Sequence, residues 1–182
     1  MTESEVILRE FPPNPHLVNY HTRRQLTTMM SERYTPKSEN YPEKWIAALA
    51  DIPGLTNIHL MRHKLRLKRN PDLPWETIAH AIETVLRAYW KAIEIQSAPE
   101  DVEAHRDFKL PEKLHFEDRK VYEGVRHAQQ YYLAERLYGI KGITTVVFYR
   151  DTLTIKRGYC YQWRELAPQI KKELQVYDSV RD

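Results

Sequence analysis

A single cysteine, Cys160, excludes an internal disulfide framework and any CxxC pair, a pattern that fits a reducing compartment. Glycine is scarce too: the five present form neither the G-x-G-x-x-G nor the P-loop pattern that cradles phosphates. G-x-S-x-G and H-E-x-x-H are also missing. No run of about 18 apolar residues occurs, which argues against a membrane-spanning helix. MTESEVILREF at the start carries acidic residues where a leader would carry basic ones, so no targeting segment is read there. These absences predict a soluble, cytoplasmic, non-catalytic protein.

What is present is enough apolar material for a core or two. Hydrophobic residues make up 42% of the 182, and aromatic residues 11%. The formal charge of +3 is mildly basic, which permits an anionic partner without requiring one.

The chain repeats itself. KLRLKR at 64–69 returns as TLTIKR at 152–157, and a shift of 88 positions aligns 46–87 with 134–175 without a gap. Twelve of those 42 pairs are identical, among them Ile52/Ile140, Gly54/Gly142, Leu65/Leu153, Arg69/Arg157, Trp75/Trp163 and Ile82/Ile170. Two copies with so long a period predict duplicated small domains rather than a solenoid.

Each copy has readable periodicities. EKWIAALADI places Ile46, Leu49 and Ala50 on one helical stripe, with Gly54 just past its end. TNIHLM and KLRLKR alternate around Arg62-His63, which predicts a hairpin pairing Met61 with Lys64. By the period of two, Ile58, Leu60, Leu65 and Leu67 face inward, and His59, Lys64, Arg66 and Lys68 face outward. A second helix carries Ile78, Ile82, Val85, Leu86 and Tyr89 on one face, starting at Asp72 with Pro74 in its first turn. In the second copy AQQYYLAERLYG is the first helix, TTVVFY and TLTIKR the hairpin, and WRELAPQIKKEL the second helix, with Pro168 expected to disturb its first turn. HLVNYHTRRQLT and LHFEDRKVYEG read as further hairpins upstream. The predicted class is α+β: two tandem ββαββα domains over 1–94 and 113–182, each an antiparallel sheet with two helices on one face. Residues 95–112 read as a linker.

Candidate sites are few. His59 and His63 are four apart, but on a hairpin that spacing does not bring two imidazoles together, and His16 and His21 have opposite strand parity. All four are read as solvated, with no metal site. Cys160, between Tyr159 and Tyr161, is read as a packed or loop thiol. His59, Lys64, Arg66, Lys68 and Arg69 form a basic face that could contact phosphates or a partner. The matching face of the second copy is less charged: Val147, Tyr149, Thr152 and Thr154, enlarged by Tyr159 and Tyr161, suggest a protein contact or a seam between the copies.

FPPNPHLVNY, followed by WIAALADIPGLTNIHLMRHKLRLKRNPDLPWETIAHAIETVL, resembles the N-terminal domain of Nfu/NifU-type iron–sulfur scaffold proteins. Pro13, Asn14 and Pro15 match that family's entry turn, Ile52 and Gly54 its helix end, and Trp75 the start of its last helix. The SERYT loop at 31–35 is also similar to the N-terminal part of conserved virulence factor C. The second copy matches from about Lys113 to Leu174 and lacks the Pro-Asn-Pro turn. In that family the cluster is held through a CxxC pair in a separate C-terminal domain, and Cys160 alone cannot replace it. The resemblance therefore implies no cofactor and a docking adaptor whose partner is an iron–sulfur scaffold or client. The alternative, resting on the basic face, is an RNA- or ribosome-associated accessory protein.

Overall fold

The computed structural model describes residues 4–180, which divide into two units. One is built from residues up to Thr27 together with Ser31–Pro99, the other from Thr28–Met30 together with Glu100 onward. In the first unit the elements run β1 (Glu5–Glu10), β2 (Leu17–His21), β3 (Glu32–Tyr34), α1 (Lys44–Ala50), β4 (Leu55–Met61), β5 (Lys64–Arg69), α2 (Trp75–Trp90) and β6 (Ile93–Ser97). In the second they run β7 (His105–Lys109), β8 (Phe116–Tyr122), α3 (Val125–Ala128), α4 (Tyr132–Gly139), β9 (Ile143–Arg150), β10 (Thr152–Arg157) and α5 (Trp163–Val180).

The hairpin of the first unit has the predicted register. Met61 lies opposite Lys64, His59 opposite Arg66 and Ile58 opposite Leu67. Ile58, Leu60, Leu65 and Leu67 are buried against Ile46 and Leu49 of α1 and Ile78, Ile82 and Leu86 of α2. The second unit repeats the arrangement, with Val146, Phe148, Leu153 and Ile155 packed against Leu133 and Leu137 of α4 and Leu166, Ile170 and Leu174 of α5. Period-two strands laid under period-3.6 helices thus produce two separate apolar cores.

The duplication extends to individual hydrogen bonds. Asn70 N donates to Gly54 O at 2.7 Å, and Gly158 N to Gly142 O at 2.8 Å. Arg69 N donates to His16 O at 3.0 Å, and Arg157 N to Ala104 O at 2.8 Å. Trp75 Nε1 donates to Pro15 O at 3.0 Å, and Trp163 Nε1 to Glu103 O at 2.8 Å. Every atom in these pairs is displaced by the same 88 residues as the sequence repeat, so both units use one backbone frame.

Several expectations are corrected. HLVNYHTRRQLT and LHFEDRKVYEG are not hairpins; each supplies one strand, β2 and β8, whose neighbours come from elsewhere in the chain. The SERYT segment is not a loop, because Glu32–Tyr34 pairs with β4 as β3. The stretch 95–112 carries the end of β6 and all of β7. Its polar residues fit strands at sheet edges, where one face or rim stays wet. The first sheet is not wholly antiparallel: its order is β3-β4-β5-β2-β1-β6, and β6 runs parallel to β1. The second has the order β7-β10-β9-β8 and is antiparallel throughout. The helix α2 begins at Trp75, with Pro74 preceding it, and α5 runs on through Pro168. Being near the start of an 18-residue helix, that proline removes one backbone donor without ending the helix.

Candidate interaction surface

The strand registers order the helix-free face of each sheet into cross-strand rows. In the first unit these are Met61, Lys64 and His21, then His59, Arg66 and Asn19. In the second they are Tyr149, Thr152 and Lys109, then Val147, Thr154 and Asp107.

The first face is a polar ladder more than a basic patch. Arg66 Nε donates to Asn19 Oδ1 at 2.9 Å, and Asn19 Nδ2 donates to Glu10 Oε2 at 2.7 Å. His21 Nε2 lies 2.7 Å from the same carboxylate oxygen. Burial pushes the His21 imidazole down to about 4, against the pull of Glu10, so at neutral pH this contact is a hydrogen bond donated by a neutral ring. Burial opposes ionisation of Glu10, but the hydrogen bonds from Asn19 and His21 hold its carboxyl below the ordinary carboxylate range.

Of the five residues proposed as a cationic face, three are otherwise engaged. Arg69 turns into the following loop, where Nη1 donates to the carbonyls of Asn70, Pro71 and Leu73 at 3.1, 2.8 and 2.5 Å. Arg66 is held in the ladder by Asn19. His59 is pushed down to about 4 by burial and by the nearby Arg33, Arg66 and Lys64, so it carries no charge at neutral pH. Lys64 lies in the row beside His21, and Lys68 is exposed.

Two of the histidines expected to be solvated are buried. His21 retains 3% of its accessible surface beneath the ladder, and His63 also 3%, with Nδ1 2.9 Å from Arg24 O. His63 too is pushed down to about 4, chiefly by burial. Among the described residues no group of His, Cys, Asp or Glu is arranged to hold a metal ion. No helix among them is long and apolar enough to cross a membrane.

The face of the second unit is narrower than expected. Val147 is buried, and Tyr161 belongs to the core, its ring lying where a Cβ on Gly142 would stand. Thr154 Oγ1 donates to Asp107 Oδ1 at 2.5 Å, repeating with other chemistry the Arg66–Asn19 bond 88 residues earlier. Tyr159 and Cys160 are half-buried in the loop that Arg157 grips. What remains open is the row Tyr149, Thr152 and Lys109 at the β9–β10 turn. Tyr149 keeps 42% of its surface, with the guanidinium of Arg150 over its ring at 5.1 Å.

Residues 93–179 match the family model described as scaffold protein Nfu/NifU N terminal. That stretch is similar to the Nfu/NifU N-terminal family. The match spans just under half of the chain and all of β6 through most of α5. Its first residue, Ile93, stands 88 positions after Glu5, where the first unit begins β1. The chain is also similar to solved structures of protein SAV1430 from Staphylococcus aureus and of SeR13 from Staphylococcus epidermidis. The SAV1430 crystal structure is 21% identical, covering 44% of this chain and 96% of its own, with a TM-score of 0.41. The SeR13 solution structure is 19% identical, covering 48% of this chain and 98% of its own, with a TM-score of 0.36. Among curated proteins none matches the chain.

The ladder of Glu10, Asn19 and His21 has no signature in the sequence, because it depends on which strands become neighbours. The clamp made by Arg69 and Arg157 left a signal that was available: each is identical across the repeat and precedes an identical tryptophan by six residues.

Proposed function

We propose that this chain is a non-catalytic adaptor built from two tandem domains of the Nfu/NifU N-terminal type. In this reading it docks on a protein of the iron–sulfur assembly machinery, a scaffold or its client. The first unit lies mostly outside the family match, and its inclusion rests on the shared hydrogen-bond frame at 88-residue spacing. The observation that carries the docking role is the open row Tyr149, Thr152 and Lys109 on the helix-free face of the matched domain. A half-exposed tyrosine with a hydroxyl and an ammonium beside it offers apolar area at low entropic cost, with polar groups at its rim.

The experiment is co-purification of the full chain from its native cells, with mass spectrometry and with iron and RNA assays on the same sample. A stoichiometric protein partner that is lost on Tyr149→Asp supports the proposal. Recovery of ribosomes and RNA alone, unchanged by that substitution, contradicts it.

A further inference from the structure

β6 is the second copy's version of β1, yet it lies beside β1 itself. In the parallel ladder Glu5 faces Ile93, Val6 faces Glu94, Ile7 faces Ile95, Leu8 faces Gln96 and Arg9 faces Ser97, every pair 88 residues apart. In the first unit β1 folds back antiparallel on β2, with Leu8 opposite His21 and Glu10 opposite Asn19. The counterpart of β2 is β7, and β7 is the edge of its sheet. The second unit therefore has four of the five strands of the shared frame, and the missing one is on the first sheet.

The unfilled edge can be located by atom. Arg157 N donates to Ala104 O and Leu110 N to Asp151 O, which fixes residues of even number as those bonded to β10. The N–H groups of His105, Asp107 and Lys109 therefore point away from β10, toward the place that β1 takes beside β2. Filling it needs no side chain to change faces. Shifting the β1–β2 register by 88 puts Ser97 opposite Phe108 and Gln96 opposite Lys109, and Ile93 and Ile95, which pack on the helix-covered side of the first sheet, stay on the helix-covered side of the second.

Two local features explain why β6 is not there. The turn from β1 to β2 is set by Pro13, Asn14 and Pro15: Asn14 Oδ1 accepts from His16 N at 3.0 Å, and Asn14 O from Leu17 N at 3.1 Å. The corresponding residues before β7 are Asp101, Val102 and Glu103, which impose no such turn. Holding β6 on β1 also carries strain, since the connection from α2 uses two successive non-glycine residues with positive φ, Lys91 at 37° and Ala92 at 49°. Such residues cost of order 1 kcal/mol or more each.

We propose that residues 93–97 are an exchangeable strand with two acceptor edges, parallel on β1 as seen here and antiparallel on β7 of the same chain. Transfer completes the five-stranded frame of the second unit and uncovers the edge of β1. This inference is independent of the adaptor reading, and neither test bears on the other.

The test is amide hydrogen exchange on the full chain in two variants that bias the strand in opposite directions. D101P/V102N/E103P restores the turn. Proline at 103 keeps the carbonyl that accepts from Trp163, as Pro15 keeps the one that accepts from Trp75. K91G/A92G relieves the connection that places β6 on β1. The turn variant is expected to raise protection at His105, Asp107 and Lys109 by at least ~10-fold and to lower it at Ile7 and Arg9, with K91G/A92G doing the reverse. Disulfide trapping in a C160S background gives a second readout: Q96C/K109C is expected to close within one chain, faster when the turn is restored, and L8C/Q96C to close in the parent. Protection unchanged in both variants, or a 96–109 link formed only between two chains, overturns the proposal.

Discussion

The guanidinium of Arg157 lies over the ring of Trp163, 5.6 Å from its centroid, and Arg69 lies over Trp75 at 5.8 Å, 88 residues earlier. In each unit the same Nη1 atom gathers the carbonyls of the loop joining the hairpin to the last helix: Gly158, Tyr159 and Tyr161 in one, Asn70, Pro71 and Leu73 in the other. A planar fork can satisfy several fixed carbonyls and stack at once, and an ammonium cannot. Arg157→Lys is therefore expected to destabilise the second unit by about 2–3 kcal/mol, through buried carbonyls left unpaired. Arg69→Lys should cost the first unit less, because the carbonyls that Arg69 holds are part-buried or exposed. Urea denaturation followed at Trp163 in the second unit and at the three tryptophans of the first measures both, and the two losses should be independent of each other.

Gly142 has φ of +99°, and a Cβ there would come within 2.5 Å of the Tyr161 ring. Gly139, at the end of α4, has nothing within 4 Å of its added Cβ. Gly142→Ala is expected to lower stability by at least about 2 kcal/mol, combining left-handed strain with displacement of a core ring. Gly139→Ala should be neutral or stabilising by up to about 1 kcal/mol. Thermal melts of the two variants make the comparison.

The hydroxyl of Tyr20 is buried without a hydrogen-bond partner among the described residues. Burial, with the charge of Glu83 adding to it, raises its pKa far above the ordinary phenol value. Tyr20→Phe removes an unsatisfied polar group while keeping the ring, so stability should be unchanged or higher by about 1 kcal/mol. A loss of more than that on denaturant titration would show that the hydroxyl is satisfied.

Acid should destabilise the first unit before carboxylate chemistry begins. His21, His59 and His63 each fall to about 4 in the folded chain, below the ordinary histidine value of 6.5. Between those values the unfolded chain binds protons that the folded chain does not, so stability falls as pH drops from about 6.5 toward 4. His21 alone accounts for on the order of 3 kcal/mol across that window. Glu10, whose carboxyl is held low, acts in the same direction at still lower pH. His21→Gln, which can still donate to Glu10, should flatten the stability–pH slope between pH 6 and 4.5 by up to about 1.4 kcal/mol per unit.

What could be read in the sequence was whatever depends on period and repetition. The inward set Ile58, Leu60, Leu65 and Leu67 follows from alternation, and the equivalence of Gly54 with Gly142 and of Trp75 with Trp163 follows from the repeat. Burial set by neighbours distant in sequence was not legible. His21 looks like the end of an exposed strand until β1 brings Glu10 beside it, and Tyr161 looks like a surface aromatic until Gly142 makes room for its ring. β6 was hidden because IEIQS has only two apolar residues and sits among prolines and charges. The basic face was legible as strand parity but not as chemistry, since parity does not show that Arg69 bends back to its own loop.

Site-specific photo-crosslinking in the native cell tests the docking account most directly, with a benzophenone side chain placed at Tyr149 and, as a control, at Lys68 on the other unit. A discrete protein adduct is expected from position 149, suppressed by Lys109→Glu in the same row, and none from position 68. An adduct that is nuclease-sensitive and arises from position 68, with nothing captured at 149, would contradict it.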